Sequence, residues 1–216
     1  VKTKIKTQEN NLFKSSSVIV MAVVLLTFST NRTFAQQQAQ LLGVDHIGIN
    51  VPDLKQAVAF FSDVLGFRAV TSIGPVSLEA AWKEANHMQS GTGPVTIKMV
   101  RAGFGANIEL FEYKDSKGNT QQPGADDIGA SHIAFYTSDI KAAVAYLRSK
   151  DVKFLAEPFT MPSGDTQGET FVYFLTPWGS KLELVSYPNG KGYEKNKPYT
   201  LLWSPKNASG KGGIKK

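Results

Sequence analysis

The sequence predicts an α+β fold made of two successive strand-helix-strand-strand-strand modules, and three observations carry that prediction. First, Val44-Asp45-His46-Ile47-Gly48-Ile49-Asn50 and Ala130-Ser131-His132-Ile133-Ala134-Phe135-Tyr136 share a plan: a histidine opens an apolar run, and an aspartate, Asp53 or Asp139, follows seven residues later. Both the histidines and the aspartates are 86 residues apart. Second, Asn107-Ile108-Glu109-Leu110-Phe111-Glu112-Tyr113 and Lys181-Leu182-Glu183-Leu184-Val185-Ser186-Tyr187 both place a glutamate inside an otherwise apolar strand and end in tyrosine. Third, an amphipathic helix pattern begins directly after each aspartate. Self-similarity at a fixed offset marks a duplicated unit.

Module one spans residues 42–113. Its first strand is predicted from Leu42 to Asn50. Asp53 suits a helix N-cap, and Leu54, Ala57, Val58, Phe61 and Leu65 fall on one helical stripe that Gly66 is placed to end. A second strand is predicted near Arg68 to Ile73, and two more at Thr96 to Val100 and Asn107 to Tyr113, joined at Ala102-Gly103-Phe104-Gly105. The stretch from Gly74 to Pro94, with Trp82 and His87, has no regular period. A linker rich in Gly, Gln and Asp covers 114–129.

Module two, residues 130–187, repeats the order. A strand from Ser131 to Tyr136 leads to a helix from Ile140 with apolar Ala143, Val144 and Leu147, then a short strand near Lys153 and strands at Thr170 to Leu175 and Lys181 to Tyr187. Thr176-Pro177-Trp178-Gly179-Ser180 joins the last two, with Pro at the second turn position and Gly at the fourth. The glutamates are 74 residues apart, so module one carries 12 additional residues, placed between Gly74 and Pro94 or in the hairpin after it. The segment 188–216 is expected to be a basic irregular tail, with Leu201, Leu202 and Trp203 docked on the domain.

The net charge of +6 is unevenly spread. Residues 1–35 carry +4 and the tail +6, which leaves −4 on the rest. A core of that sign does not support a nucleic-acid groove. Lysines up to Lys14, an apolar run of 11 residues from Val18 to Phe28 and small residues at Thr33 and Ala35 read as a secretory signal peptide over 1–35, followed by a polar connector at 36–41. The run is shorter than the roughly 20 residues a bilayer-spanning helix needs. The expectation is therefore an exported protein, periplasmic or secreted, with no stable membrane span after cleavage. The absence of cysteine excludes disulfides, thiolate metal ligands and thiol catalysis.

Strand side chains alternate faces. Ile47 and Ile49 share one face of the first strand and His46 and Gly48 the other; Ile133 and Phe135 likewise oppose His132 and Ala134. The same parity separates Glu109 from Ile108 and Leu110, and Glu183 from Leu182 and Leu184. With the apolar faces against the helices, all four ionisable groups are expected on one concave face, where Gly48 and Ala134 leave space. Carboxylates inside a sheet are costly unless paired or metal-bound. Two carboxylates and two imidazoles form a donor set for one divalent cation, so His46, Glu109, His132 and Glu183 are the candidate metal ligands, with Zn, Ni, Co, Fe and Mn all admissible. Tyr113 and Tyr187 share the glutamate face and are candidate substrate-lining residues.

These stretches, covering 42–187, resemble the vicinal oxygen chelate superfamily, which includes glyoxalase I, methylmalonyl-CoA epimerase, extradiol dioxygenases and drug-resistance proteins. The resemblance implies two βαβββ modules forming a cupped mixed sheet around a metal site. The His/Glu/His/Glu set is similar to that of glyoxalase I; the epimerases commonly have glutamine at the position of Glu109, and extradiol enzymes take three ligands from one module. The resemblance therefore implies a metal-dependent lyase or isomerase that acts on a small hydroxy-carbonyl substrate through an enediolate, with Glu183 or Glu109 as the base. A sequestering binding protein is the alternative, and a dioxygenase ranks third. Lys98 and Arg101 are the nearest cationic candidates for substrate contact. The two modules close a site either within a chain or across a homodimer.

Overall fold

The computed structural model describes residues 41–207. The leader expected at 1–35, most of the connector at 36–41 and the end of the tail lie outside the described residues. Among the described residues no helix is long and apolar enough to cross a membrane.

Module one folds as β1 (His46–Asn50), α1 (Leu54–Ala59), β2 (Arg68–Val76), α2 (Ala80–Ala85), β3 (Val95–Arg101) and β4 (Asn107–Tyr113). Module two follows with β5 (Ile133–Tyr136), α3 (Ile140–Arg148), β6 (Phe159–Thr160), β7 (Thr170–Leu175) and β8 (Lys181–Ser186). The strands form two mixed sheets with the same order, β1-β4-β3-β2 and β5-β8-β7-β6. In each, the histidine strand is an edge and runs parallel to its glutamate strand. The α+β class and the two βαβββ modules are as the sequence predicts.

Both capping aspartates act as expected: Gln56 N–H donates to Asp53 at 2.8 Å and Ala142 N–H to Asp139 at 3.0 Å. Beyond Ala59 the first helix widens into a π-helical segment, Phe60–Val64, before Gly66 ends it at φ +75°. Phe60 as well as Phe61 lies in the core, at i+3 and i+4 from buried Ala57.

Several boundaries differ from expectation. The first strand begins at His46 rather than Leu42; Leu41, Leu42 and Val44 are exposed. The second strand continues to Val76, and the region beyond it contains α2. Near Lys153 there is one isolated bridge, Phe154 to Phe174, and the short strand forms later at Phe159–Thr160. The tail is not irregular throughout: it makes 3-10 turns at Gly192–Asn196 and Pro205–Asn207. Leu201, Leu202 and Trp203 remain at least 57% exposed, although the Trp203 ring reaches the hairpin at Gly105.

One core serves both modules. Ala57, Phe60, Phe61, Val100, Ile108 and Leu110 from module one join Ile140, Val144, Leu147, Val172, Phe174 and Leu182 from module two. Trp178 lies 5.9 Å from Phe60 and 6.2 Å from Phe61, and Phe67 packs 5.0 Å from Phe135. The modules thus meet through their helix-bearing faces. Each sheet then turns its other face away from the core.

Candidate functional site

Register fixes which side chains share those outward faces. Gly48 pairs with Glu109 and Met99 stands opposite Glu109, so His46, Gly48, Glu109, Phe111 and Met99 lie on one side of the first sheet. In the second sheet Ala134 pairs with Glu183 and Tyr173 stands opposite it, which gathers His132, Glu183, Tyr187, Tyr173 and Phe171.

Each histidine meets the glutamate of its own module. His46 Nε2 is 3.1 Å from Glu109 Oε2, and His132 Nε2 is 2.8 Å from Glu183 Oε2. The imidazoles are about half exposed and the carboxylates mostly covered. His46 is further held by Asp45, whose Oδ1 is 2.8 Å from Nδ1. That hydrogen bond raises the His46 pKa above its usual value, against a smaller lowering by desolvation. Burial pushes the Glu183 carboxyl above the ordinary carboxylate range; His132 opposes the rise, Glu169 adds to it and Lys191 opposes it. The His132 ring meets Tyr173 edge-on at 5.2 Å.

The expectation of one concave face for all four groups holds within each module and not across the chain. Because the modules share a core through their helix sides, the two His–Glu pairs face away from it on separate sheets. Among the described residues no group of three or more His, Asp or Glu side chains is arranged to hold a metal ion. The donor chemistry fits a divalent ion in two halves, each an imidazole and a carboxylate within hydrogen-bonding distance. A full set requires the two halves to be brought together.

Other sequence candidates fall as follows. The space expected above Gly48 is filled: a Cβ there would lie 3.1 Å from the Phe111 ring. Tyr113 stacks on Phe111 at 6.1 Å, and burial followed by the Glu109 charge raises its pKa. Tyr187 is buried, with its hydroxyl 2.8 Å from Ser204 Oγ. His87 is exposed just past α2. Lys98 pairs with Leu110 and so faces away from Glu109, while Arg101 Nε donates to the Gly103 carbonyl at 2.7 Å. Asp45, Tyr173 and the pair Glu169 and Lys191 were not anticipated. Parity offered a signal for Tyr173, which alternates with buried Val172 and Phe174; the fold-back of the tail that delivers Lys191 has no local signature.

The model of the glyoxalase/bleomycin resistance protein/dioxygenase superfamily matches residues 43–184. The chain belongs to that superfamily. Within it, the chain is 37% identical over 156 residues to the 2-epi-5-epi-valiolone epimerase of an Actinomyces species, covering 71% of this chain and 84% of that protein. It is 31% identical over 144 residues to Escherichia coli (strain K12) YaeR, covering 65% of this chain and 93% of that one. Among solved structures, a glyoxalase family protein from Bacillus cereus superposes with a TM-score of 0.55 at 20% identity, over 70% of this chain and 98% of that one. That likeness concerns the superfamily fold alone. The match to the superfamily ends before the tail that carries Lys191.

Proposed function

We propose that this protein is a metal-dependent epimerase of a small polyhydroxylated ketone, working as a homodimer in which each site joins the His46–Glu109 pair of one copy to the His132–Glu183 pair of the other. The observation that carries the reading is the pairing itself: two half-sets of donors sit on the outward faces of separate sheets of one chain. The edge strand β1 supports it: it pairs with β4 on one side only, and Ile47 on it is 37% exposed. An exposed edge of this kind invites a partner. The substrate class follows the Actinomyces relative, named as an epimerase of 2-epi-5-epi-valiolone.

The residues suit the chemistry. When bound, a divalent ion on the four donors supplies Lewis-acid polarisation of a carbonyl. Epimerisation removes a proton from the carbon beside that carbonyl and returns one to its opposite face, a task that two carboxyl groups on facing walls can share. Glu183 takes the proton in one direction and Glu109 on the opposing module delivers one; exchange with solvent then strips Glu183 and reloads Glu109, so no proton is consumed overall. The leader pattern at 1–35 supports an exported enzyme, and sequencing the N-terminus of the mature protein tests that.

Mixing His46→Ala with His132→Ala tests the shared site. Each variant alone lacks turnover. In mixed dimers one of the two sites carries only intact halves, so recovery to about a quarter of wild-type activity is expected from random exchange. Two inactive variants that stay inactive on mixing, although dimers exchange, would refute a cross-copy site; ligand binding without turnover in wild type would favour a sequestering protein.

A further inference from the structure

Beyond Glu183, the outward face of the second sheet continues through Tyr173 and Phe171 to Glu169, just before β7. The tail turns back at Gly190, φ +84°, and lays Lys191 against it. Lys191 and Glu169 form an ion pair with side chains only 19% and 13% exposed. The Lys191 ammonium also lies 4.3 Å from the centroid of the Tyr187 ring. Glu169 continues the alternation of Phe171 and Tyr173, the residue opposite Glu183, and Lys191 reaches it from over the Tyr187 ring, so the pair shares the face of the proposed reaction.

The pair is not needed to fasten the tail. Tyr193 N–H already donates to the Asp165 carbonyl at 2.9 Å, Lys195 Nζ to Gln167 Oε1 at 2.7 Å, and Gly192 packs so closely on the Gly164 carbonyl that no Cβ fits. Covered ion pairs are poor sources of stability, because desolvation offsets their attraction. Chemically, an ammonium beside a carboxylate offers a donor and an acceptor with no net charge. That combination matches adjacent hydroxyl groups, each of which both accepts and donates. The flanking rings, Tyr136 and Tyr187 at 4.9 Å and Phe171 and Tyr173 at 5.7 Å, provide apolar surface for the C–H faces of a saturated ring.

We propose that Lys191 and Glu169 are positioning and specificity residues that recognise vicinal hydroxyls of a neutral, polyhydroxylated ring. This deepens the epimerase reading and rests on it for the reaction, but not for binding. An anionic thioester conjugate gains nothing from a pair with no net charge set beside Glu183. Lys191 lies past the stretch that the superfamily model matches, while Glu169 lies within it.

The test compares wild type with Lys191→Met, Glu169→Gln and Lys191→Arg, all loaded with manganese. Turnover of 2-epi-5-epi-valiolone is measured alongside calorimetric binding of myo-inositol, a neutral cyclitol that undergoes no epimerisation beside a carbonyl. The expected result is a KM raised about tenfold in Lys191→Met and Glu169→Gln with kcat changed far less, parallel weakening of myo-inositol binding, and substantial recovery in Lys191→Arg. If Lys191→Met fails to fold, the double variant Lys191→Gln with Glu169→Gln carries the same comparison. Unchanged KM and unchanged myo-inositol binding would overturn the inference and leave the epimerase reading standing. A wild type that binds myo-inositol through Lys191 but turns over no polyhydroxylated ketone supports the inference and removes the reading. Neither binding nor turnover overturns both.

Discussion

Tyr173 stands directly across the antiparallel pair from Glu183 and meets the His132 ring edge-on, so the imidazole is held between a carboxylate at 2.8 Å and an aromatic ring at 5.2 Å. In module one the corresponding position opposite Glu109 is Met99, a flexible side chain. The two half-sets therefore differ in how firmly they are held. Groups that orient metal ligands typically contribute ten- to a hundred-fold to affinity. Tyr173→Ala is expected to weaken zinc binding by about tenfold, while Met99→Ala changes it by less than about threefold; competition with a chromophoric chelator reads both.

Asp45 sets the charge state of His46. Its hydrogen bond raises the imidazole pKa above 6.5, with a further rise from Glu109. A raised histidine contributes stability that is fully present below pH 6.5 and is lost as pH climbs through the raised value. In metal-free protein, NMR titration of His46 should show that upward shift, and Asp45→Asn should bring it down. An unmoved midpoint in Asp45→Asn would show that another group controls it.

Glu183 has the same sign through a different cause. Burial raises its pKa, so in the metal-free protein folding favours proton uptake at this carboxyl relative to the unfolded chain. Stability is greatest below the ordinary value of 4.5 and falls as pH rises through the raised value. Glu183→Gln should remove that part of the pH dependence and leave a flatter profile in denaturant titrations from pH 4 upward. A profile as steep as that of wild type would assign the slope elsewhere.

Phe61 is fully buried where the modules meet, 5.7 Å from Phe60 and 6.2 Å from Trp178. Phe61→Ala should cost roughly 3–5 kcal/mol. Because the core is shared, the loss should appear as one cooperative transition at lower denaturant, seen alike by far-UV circular dichroism and tryptophan fluorescence. Two separated transitions would mean that the modules unfold independently.

Local patterns account for most of what the sequence revealed. The Asp53 and Asp139 caps, the Thr176 to Ser180 turn and the period-two alternation around Glu109 and Glu183 are determined within a few residues. They sufficed to fix the modules and to place each histidine and glutamate on a common face. The relation between the two faces was not legible, because it depends on Phe60, Phe61, Phe67, Phe135 and Trp178 meeting across distant parts of the chain. The π-helical segment Phe60–Val64 is likewise not encoded in amphipathic periodicity. Gly48 shows the limit differently: a missing side chain signals close approach, and here the approaching group is the Phe111 ring rather than a ligand.

The shared core also bears on how such a chain arises. A single βαβββ module alone would present Phe61 or Val144 and their neighbours to water, so an unduplicated half could persist only by associating with another half. Tandem fusion makes that association intramolecular and spares it from dilution. Once covalently joined, the halves no longer have to remain alike, and their outward faces differ: in one the Phe111 ring lies over Gly48, and in the other a lysine from beyond the repeat meets Glu169.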